Sequence, residues 1–118
     1  METSILKSTK KILGYELDNS FDLDVITHIN SSFFRLNTLG IGPPAGFVIE
    51  GEAEKWEDFN TMGLNASVLM AVKTYIYSKV RLGFDPPGTP HHLQALKDQI
   101  AELEYVMLTE RNLIHADS

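Results

Sequence analysis

The stretch Phe21-Asp-Leu-Asp-Val-Ile-Thr-His-Ile-Asn-Ser-Ser-Phe-Phe-Arg-Leu-Asn-Thr-Leu-Gly-Ile41 decides the fold. Val25, Ile26, Ile29, Phe33 and Leu36 follow the 3.6-residue period and place one apolar stripe along a helix. The start is marked by Asp22 as N-cap, by Asp24 in the first turn, where the helix dipole favours an anion, and by Phe21, placed to pack on Ile26 as a hydrophobic staple. The stop is equally explicit. Gly40 is free to take the left-handed conformation after the last turn, and Ile41 then folds back on Leu36 in a Schellman cap.

Upstream, Ile5, Leu6, Ile12 and Leu13 recur at helical spacing, with Lys7, Lys10 and Lys11 toward the carbonyl end and Gly14 as the stop. Downstream, Gly42, Pro43, Pro44 and Gly46 break the pattern. Phe47, Val48 and Ile49 then form a short strand-like run, which predicts a loop with at most one short strand or hairpin. In the following EAEKWEDF, Trp56 and Phe59 stand three apart, consistent with one or two helical turns that pin the loop to the body. A third helix is expected from Asn65 or Ser67 to about Leu82, with Gly83 as its stop and Asp85-Pro86-Pro87-Gly88 as a rigid turn. Thr89-Pro90 opens a fourth helix, whose Leu93, Leu96, Ile100, Leu103 and Met107 form a narrow heptad seam. Glu110 takes the next seam position, so the packed part is expected to end near Leu108, with residues 111–118 as a flexible C-terminal tail. The reading is an all-α, four-helix bundle-like domain with an irregular acidic loop between its second and third helices.

The 118 residues, 43% hydrophobic and 22% charged, match one globular domain spanning the whole chain. With no cysteine, a disulfide framework, thiolate catalysis and Cys-bound metal are excluded. No window approaches the roughly 20 apolar residues of a membrane span, and the opening METSILKSTKKILG lacks the pattern of a signal peptide. A soluble protein made in a cytoplasm is therefore expected. The net charge of −6 is the wrong sign for holding nucleic acid by its phosphates. Much of it is local: Glu50, Glu52, Glu54, Glu57 and Asp58 face Lys55 alone in residues 50–58.

Catalytic and metal readings find little support. His91 and His92 are adjacent on a helix and point about 100° apart, so they do not converge on one ion without another element. Asp22, Asp24 and His28 lie on one helix, but capping and dipole account for both aspartates. No serine sits in a nucleophile turn, GIGPPAG lacks phosphate-loop spacing, and the clustered carboxylates have only Trp56 as a large neighbour. Tyr75, Tyr77 and Tyr105 with Lys73, Lys79 and Arg81 are too few and too core-directed for a nucleic-acid stripe. No enzymatic activity, cofactor or metal is expected, and protein interaction remains.

Particular residues sharpen this reading. Ile26-x-x-Ile29-Asn30, Leu36-Asn37-x-Leu39-Gly40-Ile41-Gly42-Pro43, Gly46-Phe47-x-Ile49, Trp56-x-Asp58-Phe59, Val72-Lys73-x-Tyr75-x-x-x-Lys79-Val80-Arg81, Phe84-Asp85-Pro86-Pro87 and the Leu93 to Leu103 helix occur in this order over most of the chain. Together they resemble the head-tail connector, or adaptor, proteins of tailed bacteriophages. The resemblance implies a structural virion protein of the neck: a ring, commonly of about twelve copies, beneath the portal, linking the DNA-filled head to the tail. It implies as partners the portal protein, a tail-proximal neck or stopper protein and further copies of the chain, with no sequence-specific nucleic-acid binding and no membrane. By position, Arg111, Asn112, Leu113, Ile114 and His115 would be the portal-binding tail. A ring needs heterologous contacts, so Phe47, Val48, Ile49 and Trp56 are candidates for the subunit interface, with the outer face of the third or fourth helix as the other patch. Glu50, Glu52, Glu54, Glu57 and Asp58 would line the lumen or the rim, where they repel DNA in transit. The competing reading from another class is a cytoplasmic helical interaction or regulatory module.

Overall fold

The computed structural model describes the backbone of residues 3–116 and the side chains of residues 3–110. Within them the chain forms α1 (Ile5–Leu13), α2 (Asp22–Thr38), a single-turn α3 (Trp56–Phe59), α4 (Ala66–Phe84) and α5 (Pro90–Ala116). The all-α expectation holds: four long helices are accompanied by the pinning turn at Trp56. Phe47 to Ile49 form no strand, and among the described residues the only β pairing is an isolated bridge between Ser4 and Lys55.

α4 is the central element, packing on α1, α2 and α5. Its Val72, Tyr75, Ile76 and Val80 are fully enclosed, together with Ile5 and Leu6 of α1, Ile29, Phe33 and Leu36 of α2, and Met107 of α5. The α5 seam is graded. Ile100 and Met107 are buried, whereas Leu93, Leu96 and Leu103 are half-buried. This is how a narrow apolar seam meets a single partner helix from outside.

Several local expectations hold in detail. The Ile41 N–H donates to the Leu36 carbonyl at 2.9 Å and the Gly40 N–H to Asn37 at 3.0 Å, with Gly40 at φ 79, which is the Schellman arrangement. Asn65 caps α4 by accepting from the Val68 N–H at 2.9 Å. Thr89 Oγ1 accepts from the His92 N–H at 3.3 Å at the start of α5.

Others are corrected. Asp22 is not the N-cap of α2, because Phe21 occupies that position without a side-chain cap. The Asp22 carboxylate instead lies 2.8 Å from Lys10 Nζ, whose side chain is only 3% exposed. Asn19 Oδ1 accepts from the same ammonium at 2.6 Å, so the buried charge is both paired and hydrogen-bonded. Phe21 is thus the N-cap itself and not the preceding residue that a staple uses, and its ring meets Tyr15 and Phe84 edge to face at 5.9 and 5.5 Å. Gly83 does not stop α4, which runs one residue further. A Cβ there would come within 2.6 Å of the His28 ring, so this glycine permits close approach of α2 and α4. Ile12, expected on the core stripe of α1, is exposed.

Candidate functional site

The segment between α2 and α4 is irregular yet firmly held, and its anchors are the motif residues. The Asn30 side chain pairs with the backbone of Ile49 on both sides: Asn30 Nδ2 donates to the Ile49 carbonyl at 3.0 Å, and the Ile49 N–H donates to Asn30 Oδ1 at 2.8 Å. A side-chain amide thus supplies what a neighbouring strand would have supplied. Asn60 does the same for Leu64, at 3.1 and 2.7 Å. Phe59 meets Phe33 at 5.0 Å and Phe47 at 5.6 Å, and Phe33 meets Phe47 at 5.1 Å. The Trp56 indole N–H donates to Ser8 Oγ of α1 at 3.0 Å. Gly42, at φ +100, leaves room for the Phe59 ring, which a Cβ would approach to 2.6 Å. The backbone at α1 is tied in as well, with the Ile5 N–H donating to Glu54 at 3.0 Å and Trp56 N–H to Thr3 at 3.1 Å.

This changes what the predicted interface residues offer. Ile49 and Trp56 are enclosed in the monomer core and Phe47 is half-buried against it. Only Val48, 62% exposed, presents a free apolar side chain. Burial is the physical reason for the narrowing: a side chain already packed inside its own subunit has little surface left for a neighbour.

The acidic cluster also divides. Glu54 folds over the turn before it, its carboxylate accepting from the Glu50 N–H at 2.8 Å and more loosely from Gly51 at 3.4 Å. Asp58 accepts from the Lys55 N–H at 2.9 Å and closes the capping box of α3. Glu52 pairs with Lys7 across 3.6 Å on the surface. Glu50 and Glu57 remain as exposed carboxylates with no ion pair among the described residues. The backbone of α5 continues through Ala116; the side chains of Arg111, Asn112, Leu113, Ile114 and His115, and the expected flexible tail, lie outside the described residues.

Among the grooves lined by exposed apolar side chains, two share no residue and no helix. The first lies along α2 and the following loop and is lined by Phe34, Asn37, Phe47 and Val48, with Phe34 70% exposed. The second lies where α1, α4 and α5 meet and is lined by Ile12, Tyr77, Arg81 and Leu96, with Ile12 61% exposed. Periodicity left Phe34 off the stripe of α2 and assigned Ile12 to the core of α1. Adjacent residues on a helix diverge by about 100°, so Phe33 and Leu13 in the core force Phe34 and Ile12 outward. Two adjacent large apolar residues on an amphipathic helix were the available signal.

One polar cluster joins three helices. Tyr75 O–H of α4 donates to Glu104 Oε2 of α5 at 2.6 Å, and Arg35 of α2 donates to Glu104 Oε1 at 3.0 Å. Burial pushes the Tyr75 pKa up, and the adjacent Glu104 carboxylate adds to this. For Glu104, burial acts to raise the pKa, but the hydrogen bonds and charge supplied by Arg35 and Tyr75 outweigh it and leave the carboxyl below its ordinary value. The cluster is saturated with its own partners and fixes α5 against α2 and α4. Among the described residues no group of three or more His, Asp or Glu side chains is placed to hold a metal ion. Among them, too, no helix is long and apolar enough to cross a membrane.

The chain has also been compared with known proteins. No curated protein and no solved structure matches it. The family model described as phage connector protein matches residues 5–112, which takes in α1 through most of α5, all of the motif blocks and both grooves. The chain therefore belongs to the phage connector protein family, a family of structural components of the phage particle.

Proposed function

We propose that the protein assembles as a ring of about twelve copies beneath the portal and links the DNA-filled head to the tail. The observation that carries the ring is the pair of apolar grooves on different helices. A heterologous contact needs two unlike patches on each subunit, and a closed ring is the finite assembly such contacts build. Membership of the connector family supports a position for this assembly at the head-tail junction. The exposed Glu57 suits a surface past which DNA moves, since a carboxylate offers its phosphates no contact. The end of α5 and the residues after it, 111–118, supply the segment that engages the portal, and a tail-proximal stopper protein occupies the opposite side.

The reading is tested by electron microscopy of lysates from a phage carrying a deletion of this gene. The expected result is DNA-packaging heads and complete tails that fail to join. Normally tailed, infectious particles would refute it. Removing residues 111–118 is expected to reduce portal binding while leaving the melting temperature of the domain unchanged, as read by co-sedimentation and circular dichroism.

A further inference from the structure

Resting on the ring reading above, we propose that the two grooves dock onto each other between neighbouring copies. The exposed Phe34 and Val48 on the rim of one subunit's first groove pack on the Ile12–Tyr77–Leu96 surface of the next, and Glu50 meets Arg81 across the contact. The occupant of each groove is thus a second copy of this chain.

Three observations support this pairing. First, exposure alternates along the loop: Phe47 half-buried, Val48 exposed, Ile49 buried, Glu50 exposed. Val48 and Glu50 are thus both turned outward, and Val48 lines the first groove together with Phe34 of α2. This makes an apolar groove rim with an anion two residues beyond Val48. Second, the α1–α4–α5 groove is lined by the apolar Ile12, Leu13, Tyr77 and Leu96, with Thr74, Ser78, Gln99 and the cation Arg81 completing the lining. Arg81 is exposed and has no ion-pair partner among the described residues, and neither has Glu50. An unpaired anion beside one apolar patch and an unpaired cation beside the other are complementary in sign, which sets register and direction more than raw affinity. Third, the two surfaces have no residue in common, so one subunit can use both at once, as each member of a ring must. Like surfaces meeting in a symmetric dimer would bring Glu50 toward a second Glu50, or Arg81 toward a second Arg81.

The test uses the full chain with the portal oligomer and mass photometry, on Glu50→Arg, Arg81→Glu and the double reversal. Both positions are exposed, and circular dichroism checks that each variant is folded. Each single reversal is expected to weaken ring formation by roughly fivefold or more per contact, and the double reversal to restore it. If the wild-type protein forms rings and the single reversals do so equally well, or if the double reversal restores nothing, this pairing is wrong while the ring reading stands. If the wild-type protein never gains copies on the portal, the ring reading itself fails and the pairing falls with it. A second measurement avoids charge altogether. The chain has no cysteine, so Val48→Cys and Ile12→Cys introduced together provide one defined cross-link. Oxidation of assembled rings is expected to give a ladder of covalent multimers on denaturing gels, and absence of a ladder above that of either single variant would overturn the pairing.

Discussion

Glu104→Ala offers the sharpest test of how the α5 helix is held. Tyr75 is fully enclosed, and its hydroxyl donates to Glu104 Oε2 at 2.6 Å. Removing the carboxylate leaves that buried hydroxyl without its partner, a loss of about 1–3 kcal/mol, with charge-assisted bonds toward the upper end. The Arg35 side of the cluster is half exposed, so solvent screens it and it adds little. We expect about 2.5 kcal/mol in total for Glu104→Ala, which for a domain of this size lowers the melting temperature by roughly 10 °C. Tyr75→Phe is expected to cost about 1 kcal/mol, and the double variant less than the sum, because the two changes remove one interaction. The effect also carries a pH signature. The Glu104 carboxyl lies below its ordinary value in the folded protein, so its contribution is present above the unfolded pKa of about 4.3 and is lost as pH falls through the folded value. The gap between wild type and Glu104→Gln should therefore narrow as pH falls from about 5 through the lowered folded-state value. Chemical denaturation followed by circular dichroism across that range measures it. Strict additivity of the two substitutions, or a gap that does not change with pH, would refute the reasoning.

Three further tests probe the scaffold. Gly42→Ala should lower stability by about 3 kcal/mol, since it combines left-handed strain with a clash on Phe59; a melting temperature within experimental error of wild type would contradict this. Gly83→Ala should destabilise through the His28 ring despite its better helix propensity, and His28→Ala in the same chain should reverse the sign of the Gly83→Ala effect, to be read from a thermal double-mutant cycle. Asp22→Ala should cost about 3 kcal/mol or more by leaving the buried Lys10 ammonium without its anion, with urea midpoints as the measure.

Much of the fold was written in local patterns. The α2 stop is a good example: Gly40 and Ile41 have a single low-energy way to end a helix whose last core residue is Leu36. The misreadings share a cause, namely that a residue with a plausible local role was recruited by a partner distant in sequence. Asp22 looks like a cap but neutralises Lys10. Gly83 looks like a stop but makes room for His28, 55 positions away by numbering. Phe47 to Ile49 look like strand because their outer face is apolar, yet their backbone partner is the Asn30 side chain, which no periodicity announces. The same limit governs the assembly surface. The motif residues that carry the family likeness, Gly42, Phe47, Trp56 and Phe59 among them, mainly build the scaffold of the loop, whereas Phe34, off the core period, and Ile12, on the expected stripe but turned outward, mark exposed apolar surface.

The most direct measurement of the central claim is mass photometry of the purified portal oligomer before and after mixing with this 13.2 kDa chain. The account predicts that the portal peak gains about a dozen copies, roughly 160 kDa, in one step without intermediate plateaus. A protein that stays monomeric or dimeric at every concentration and leaves the portal mass unchanged would contradict it.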